Sequence, residues 1–200
     1  EESYSEEQIR ELVEYARQKG IDLFPCVATL GHAERFLRHP ELQHLAELQG
    51  DMKGRFGGTR KDSFCPTHPE FYDFIGRYLQ EVAALFPSPY FHAGLDEFWD
   101  FNLCPRCQKA APDLLAEEKL FLRHIQIIHE LLKKAGKRMM MWSDMFENYT
   151  HIMQDVPSDV IMMDWQYQQD VRSYQGHLLD IGEEDRIAVN EKYGFETIIA

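Results

Sequence analysis

Apolar positions along the chain fall into two alternating patterns, stretches with a helical repeat and short unbroken apolar runs. Ile9, Leu12, Val13 and Ala16 recur at i, i+3, i+4 and i+7, and Ser5 and Gln8 stand ahead of them at capping-box spacing. A first helix is therefore predicted, stopped by Gly20. The run at 21–27 predicts a short strand, which ends in the polar turn Thr29-Leu30-Gly31-His32. A second helix is predicted over 69–86, with Phe71, Phe74, Ile75, Tyr78, Leu79 and Val82 on its apolar side and Pro87 and Pro89 beyond it. A third is predicted over 114–135, where Phe121, Ile125, Ile128 and Leu132 keep the period and Gly136 follows the end. Strands are predicted at 90–94, 139–142, 160–165 and 195–199, with a short helix after the second of these and a weaker one over 171–193. Residues 38–66 form a long excursion, broken by Gly50, Gly54, Gly57 and Gly58 and closed by Pro66; loops of this length in compact domains are usually functional.

Strands that alternate with helices imply βαβ units and a parallel sheet. No linker, repeat or low-complexity tract divides the chain, so residues 1–200 are expected to lie in one domain. Composition changes this picture little. With 44% hydrophobic and 28% charged residues the chain is ordinary for a globular protein, and no apolar run reaches the roughly 20 residues of a membrane-spanning helix. The formal charge of −13 argues against a nucleic-acid partner, whose phosphates require a basic surface. It leaves a neutral ligand such as a sugar open, and the compartment and oligomeric state undetermined.

Each apolar strand ends in polar or aromatic residues: Thr29 and His32; Asp96 and Glu97; Trp142 and Asp144; Asp164, Trp165 and Tyr167. Parallel α/β folds bind ligands at that edge, where the βα loops open, so the four sets predict one shared pocket. Neighbouring side chains on a strand point to opposite faces. Asp96 and Glu97 can therefore share a pocket only where the strand breaks, and Gly94 permits the break. Adjacent carboxylates repel, and a Glu against an apolar wall, here Phe98 and Trp99, gains the raised pKa that suits a general acid. Trp142 and Trp165 are open to two roles, as core residues among Met139, Met140, Met141, Met162 and Met163 or as stacking platforms for a pyranose. Cys104-Pro105-Arg106-Cys107 is a CxxC pair. A zinc ion would need two more ligands, and Cys26, Cys65, His32 and His92 form no second knuckle at standard spacing. No metal site is assigned on this basis, and a thiol pair or a disulfide is equally open. Phosphate-binding glycine loops and GxSxG elbows are absent, and no cofactor is implied.

Tyr90-Phe91-His92-Ala93-Gly94-Leu95-Asp96-Glu97 fits the H-x-G-x-D-E signature of family-20 glycoside hydrolases, the β-N-acetylhexosaminidases. Tyr4 to Ala16 resembles that family's second barrel helix, residues 21–33 its third strand and turn, and residues 65–86 the helix before the acidic strand. The resemblance covers nearly the whole chain. It implies a (β/α)8 barrel of which strands 3 to 7 lie here, and removal of terminal β-linked N-acetylglucosamine or N-acetylgalactosamine from oligosaccharides or glycoconjugates. The substrate's own 2-acetamido oxygen would be the nucleophile, one of the exceptions to the two-carboxylate scheme. Carried over residue by residue, Glu97 is the general acid/base, Asp96 holds the acetamido N–H, and His32 is the turn histidine of a relay that tunes the acid. Trp142 and Trp165 match aromatic walls of the sugar pocket; Asp144, His92 and Tyr167 are placed with the substrate-binding residues.

The third strand departs from the family pattern, reading Pro25-Cys26-Val27-Ala28 where Pro-Glu-Ile-Asp is usual. The first-strand Arg, the second-strand acidic partner of His32, the acetamido-binding Tyr and the last-strand Trp are expected to lie outside these residues. This stretch alone is accordingly expected to be inactive. Two other readings compete: a non-catalytic carbohydrate-binding barrel, and a metal-bound interaction module built on Cys104 and Cys107.

Overall fold

The computed structural model describes residues 3–165 and 185–200. Its element order is α1 (Glu6–Gln18), α2 (Glu34–Leu37), α3 (Phe71–Leu85), β1 (Tyr90–His92), α4 (Pro105–Ala110), α5 (Leu114–Lys134), β2 (Arg138–Trp142), β3 (Ile161–Asp164), α6 (Arg186–Lys192) and β4 (Glu196–Ile199). Short 3-10 turns occupy Pro40–Leu45, Asp144–Glu147 and Thr150–Asp155. The four strands form one parallel sheet in the order β1-β2-β3-β4.

Local chemistry sets the boundaries. The capping box forms in α1, where the Ser5 hydroxyl accepts from Gln8 N and Gln8 Oε1 accepts from Ser5 N. Asp113 caps α5 by accepting from Ala116 N at 2.9 Å, and Gly136 (φ 73°) turns the chain out of it. Gly76 on α3 lets Leu131 of α5 approach to 3.2 Å of where a Cβ would stand. These two helices cover one face of the sheet, since Phe91, Met139, Met141 and Met162 belong to the same buried cluster as Ile75, Leu79, Phe121, Ile125 and Ile128. The alternate positions His92, Met140, Trp142, Ile161 and Met163 occupy the opposite face, as the two-residue period of a strand requires.

The predicted strand at 21–27 is instead extended chain with a single parallel bridge, Cys26 to His92. It still docks on β1: His92 N donates to Pro25 O, Val27 N to His92 O, and Thr29 N to Ala93 O. Pro25 has no N–H to extend the ladder, and Ile21 and Leu23 stay exposed. The segment thus sits where a fifth strand of the sheet would lie. The apolar side of α1 is only partly covered among the described residues, with Leu12 and Tyr15 exposed. The excursion at 38–66 is packed rather than open, because Leu45, Leu48, Phe64 and Cys65 are all buried and Ala46 bridges antiparallel to Phe64. The helix expected over 171–193 lies largely outside the described residues; α6 is its described part.

Candidate active site

The strand ends stand side by side. Ala93 N donates to Met140 O, Trp142 N to Gly94 O, Ser143 N to Met163 O, and Ala200 N to Asp164 O. All polar sets placed at this edge by the sequence, apart from Tyr167, therefore share one rim. Tyr167 lies outside the described residues.

Beyond β1 the backbone leaves the strand through left-handed conformations. Gly94 has φ 69°, but so do non-glycine residues near it, Leu95 at 77° and Glu97 at 44°; His32 on the facing turn is at 52°. Each such L-residue costs roughly 1–2 kcal/mol, which only the surrounding packing can hold in place. The twist brings two successive carboxylates to one point. His32 Nε2 lies 3.3 Å from Asp96 Oδ2 and 3.5 Å from Glu97 Oε2. The acid loop can approach the His32 turn this closely because residue 31 is glycine. A Cβ there would stand 2.9 Å from Phe98 Cα and Cβ and 3.0 Å from Asp96 O.

Asp144, from the 3-10 turn after β2, completes the cluster by accepting from Glu97 N at 3.2 Å. Burial pushes the Asp144 carboxyl up to about 7, and the negative charges of Asp96 and Glu97 add to this. His32 moves the opposite way from a buried histidine. Its hydrogen bond to Asp96, with Coulombic help from Asp96, Glu97 and Glu34, raises it to about 9, so it carries its proton at neutral pH. The arrangement is two partly accessible carboxylates on one imidazolium, with a third, the buried Asp144, behind them on the Glu97 amide.

His92 lies beneath this cluster, and its burial pushes it down to about 4, keeping it neutral. Its Nδ1 accepts from Gly94 N at 3.0 Å and stands 3.4 Å from Cys26 Sγ. Its ring packs on Trp142 at 4.7 Å between centroids. Cys26, the residue that replaces an acid of the usual third strand, is held as a neutral thiol, raised to about 11 by burial and by Asp96. At the next strand Asp164 accepts from Ser143 Oγ at 3.2 Å, and Arg186 donates to Ser143 O at 2.6 Å. Burial raises the Asp164 carboxyl despite these neighbours. Trp142 and Trp165 are both half-buried. Among the described residues, His92 Nε2, Asp144 Oδ1 and Asp164 Oδ2 are buried atoms without a hydrogen-bond partner, so polar capacity remains at the rim.

The apolar wall expected beside Glu97 is built differently. Phe98 is fully buried, with its ring 4.6 Å from Phe121 and stacked on Tyr149 at 6.0 Å, and it anchors the acid loop in the core. Trp99 packs edge-on against Phe56 from the excursion, while Arg55 Nε donates to Trp99 O and the Asp100 carboxylate accepts from Arg55 N. Sequence reasoning did not single out Gly31, Ser143 or Arg186 as parts of this region, and it marked Cys26 only as a departure from the third-strand pattern. Of the first three, only Gly31 left a signal, as a glycine directly before the turn histidine.

A parallel βα sheet with carboxylates and aromatic side chains gathered at its strand ends has the architecture of part of a βα barrel. The profile of the glycosyl hydrolase family 20 catalytic domain matches residues 1–181, and the chain belongs to this family. A β-hexosaminidase of Porphyromonas gingivalis is 34% identical over 152 residues, which is 72% of this chain and 19% of that protein. Hexosaminidase D of Bos taurus is 26% identical over 163 residues, 78% of this chain and 42% of that protein. Among solved structures, the exo-β-N-acetylglucosaminidase of Vibrio harveyi in complex with N-acetylglucosamine superposes with a TM-score of 0.71 at 25% identity, over 98% of this chain and 28% of that one. The chain thus spans about a fifth to a quarter of the length of curated β-hexosaminidases it matches, those of Porphyromonas gingivalis and Vibrio furnissii. Catalytic domains of the family are TIM barrels, and the parallel sheet described above is a consecutive part of one.

Proposed function

We propose that residues 1–200 are part of one catalytic barrel that removes terminal, non-reducing β-linked N-acetylhexosamine, GlcNAc or GalNAc, from an oligosaccharide or glycoconjugate. The observation that carries this reading is the convergence of Asp96 and Glu97 on His32 at the C-terminal edge of the sheet. In this reading Glu97 protonates the glycosidic oxygen and later takes a proton from water. The substrate's acetamido oxygen attacks the anomeric carbon, and Asp96 accepts the acetamido N–H and stabilises the charge that develops. His32 positions both carboxylates as a cation. Asp144, through the Glu97 amide, fixes the strained backbone from which Glu97 projects. Asp144, raised to about 7 by burial and by the charges of Asp96 and Glu97, holds part of a proton beside the Glu97 backbone at neutral pH. Trp142 and Trp165 offer indole faces to the pyranose, and His92, Asp144 and Tyr167 complete the sugar-binding set.

The full protein that carries this chain tests the reading by hydrolysis of a chromogenic N-acetyl-β-glucosaminide. Glu97→Gln should lower kcat by about 100- to 10,000-fold while binding of N-acetylglucosamine persists. Sugar binding by a wild-type protein with no turnover would instead identify a non-catalytic carbohydrate-binding barrel.

A further inference from the structure

A second cluster lies away from the carboxylate rim. Glu47, Cys65, Cys104 and Cys107 are all buried, and one ligand atom from each lies within 4.8 Å of all the others. We propose that these four side chains bind a structural zinc ion which staples the loop carrying Asp96 and Glu97 to the 38–66 excursion.

Sulfur spacing supports a shared ion. Cys65 Sγ is 3.5 Å from Cys104 Sγ and 3.6 Å from Cys107 Sγ. A disulfide would require about 2.05 Å. Two thiolates each about 2.3 Å from a tetrahedral zinc stand about 3.8 Å apart, close to what is found. Glu47 Oε2, 3.2 Å from Cys107 Sγ, takes the fourth corner.

The surroundings are those of a site built for anionic ligands. Leu103 N and Cys104 N both donate to Glu47 Oε1 at 2.7 Å, which leaves Oε2 directed at the sulfurs. Cys107 N donates to Cys104 Sγ at 3.4 Å at the start of α4, as in a metal knuckle. Thr67 Oγ1 lies 3.2 Å from both Cys65 Sγ and Cys107 Sγ, in place to donate to a thiolate. No Lys or Arg ion pair with Glu47 is found among the described residues. A buried carboxylate among thiols calls for a cation, and a thiophilic divalent ion is the one that three cysteines select. Four protein ligands leave no open position, so the ion is structural rather than catalytic. Cys104 follows Glu97 by seven residues, and the staple therefore limits how far the acid loop can move.

The test uses the full protein, purified without chelators or metal-affinity resin. Elemental mass spectrometry should find about one zinc per chain. Alkylation with peptide mapping should show Cys65, Cys104 and Cys107 protected until a chelator strips the metal, while Cys26 shows no such dependence. Cobalt substitution should give thiolate charge-transfer and tetrahedral d–d bands, which weaken in Glu47→Gln and Cys65→Ser. Where a variant fails to fold, the wild-type metal content and labelling pattern decide. Zinc below about a tenth of an equivalent together with three freely alkylated thiols would overturn the proposal. So would a disulfide-linked peptide joining any two of these cysteines. Neither readout depends on glycosidase activity.

Discussion

Gly31→Ala tests whether close approach of two backbones builds the carboxylate cluster. The added Cβ would meet Phe98 Cα and Cβ at 2.9 Å and Asp96 O at 3.0 Å, about half an ångström or more inside ordinary contact. Neither partner yields easily. Phe98 is held by Phe101, Phe121 and Tyr149, and the Asp96 peptide is followed directly by the strained Glu97. The loop and the His32 turn must therefore separate by several tenths of an ångström, at an overpacking cost of about 1–3 kcal/mol. Because His32 is already 3.3 and 3.5 Å from the two carboxylates, that separation lengthens both contacts. Displacements approaching 1 Å at a reacting centre cost about 100-fold in rate, so a loss of roughly 10- to 100-fold in kcat is expected. The natural control is Gly58→Ala, where a Cβ meets nothing within 4 Å. Denaturant titration and chromogenic turnover, run on both variants of the full protein, separate the cases. Equal stability and equal turnover for the two would refute the claim that residue 31 sets the distance between turn and acid loop.

Histidine NMR on the full protein should find His32 and His92 displaced in opposite directions. His32 should titrate near 9 and His92 near 4, and Asp96→Asn should move His32 back toward its ordinary value. The sign for His32 follows from a folded pKa above the unfolded one. Its contribution is complete below pH about 6.5 and fades as pH rises through about 9, and its half-exposed ring limits the contribution to under about 1 kcal/mol. Asp144 behaves differently, since its folded pKa is raised from 3.8 to about 7. The folded state binds the extra proton, so Asp144 favours folding most in acid and loses that contribution as pH climbs from about 4 to 7. Asp144→Asn should flatten this part of the stability–pH curve, read from urea midpoints at pH 5 and 8; an unchanged slope would show that Asp144 titrates normally.

Much of the architecture was legible in the chain because local periodicity reports which face of an element is buried. The capping residues Ser5 and Asp113, the period of Phe121, Ile125, Ile128 and Leu132, and the stops at Pro87 and Gly136 mark helices within one or two residues of where they lie. The apolar runs ending at His92, Trp142 and Asp164 likewise locate the strands, and their order implies a parallel sheet. Asp96 and Glu97 could be singled out because the signature around them is contiguous. The segment at 21–27 misled, since its composition suits a strand while Pro25 and its exposed side chains leave it only a single bridge.

What the tertiary structure alone decided is which distant residues meet. His32 reaches carboxylates 64 and 65 positions away only because the 25–29 segment docks on β1 in one register. Left-handed geometry at Leu95 and Glu97 could not be read from residue type, because these side chains disfavour it and packing imposes it. Glu47 and Cys65 join the CxxC pair across 57 and 39 residues, from a glycine-broken stretch that has no period to read. Sequence patterns carry the preferences of neighbours three or four residues apart, or two in a strand. The meeting of remote side chains is set by strand register and core packing, which only the folded chain specifies.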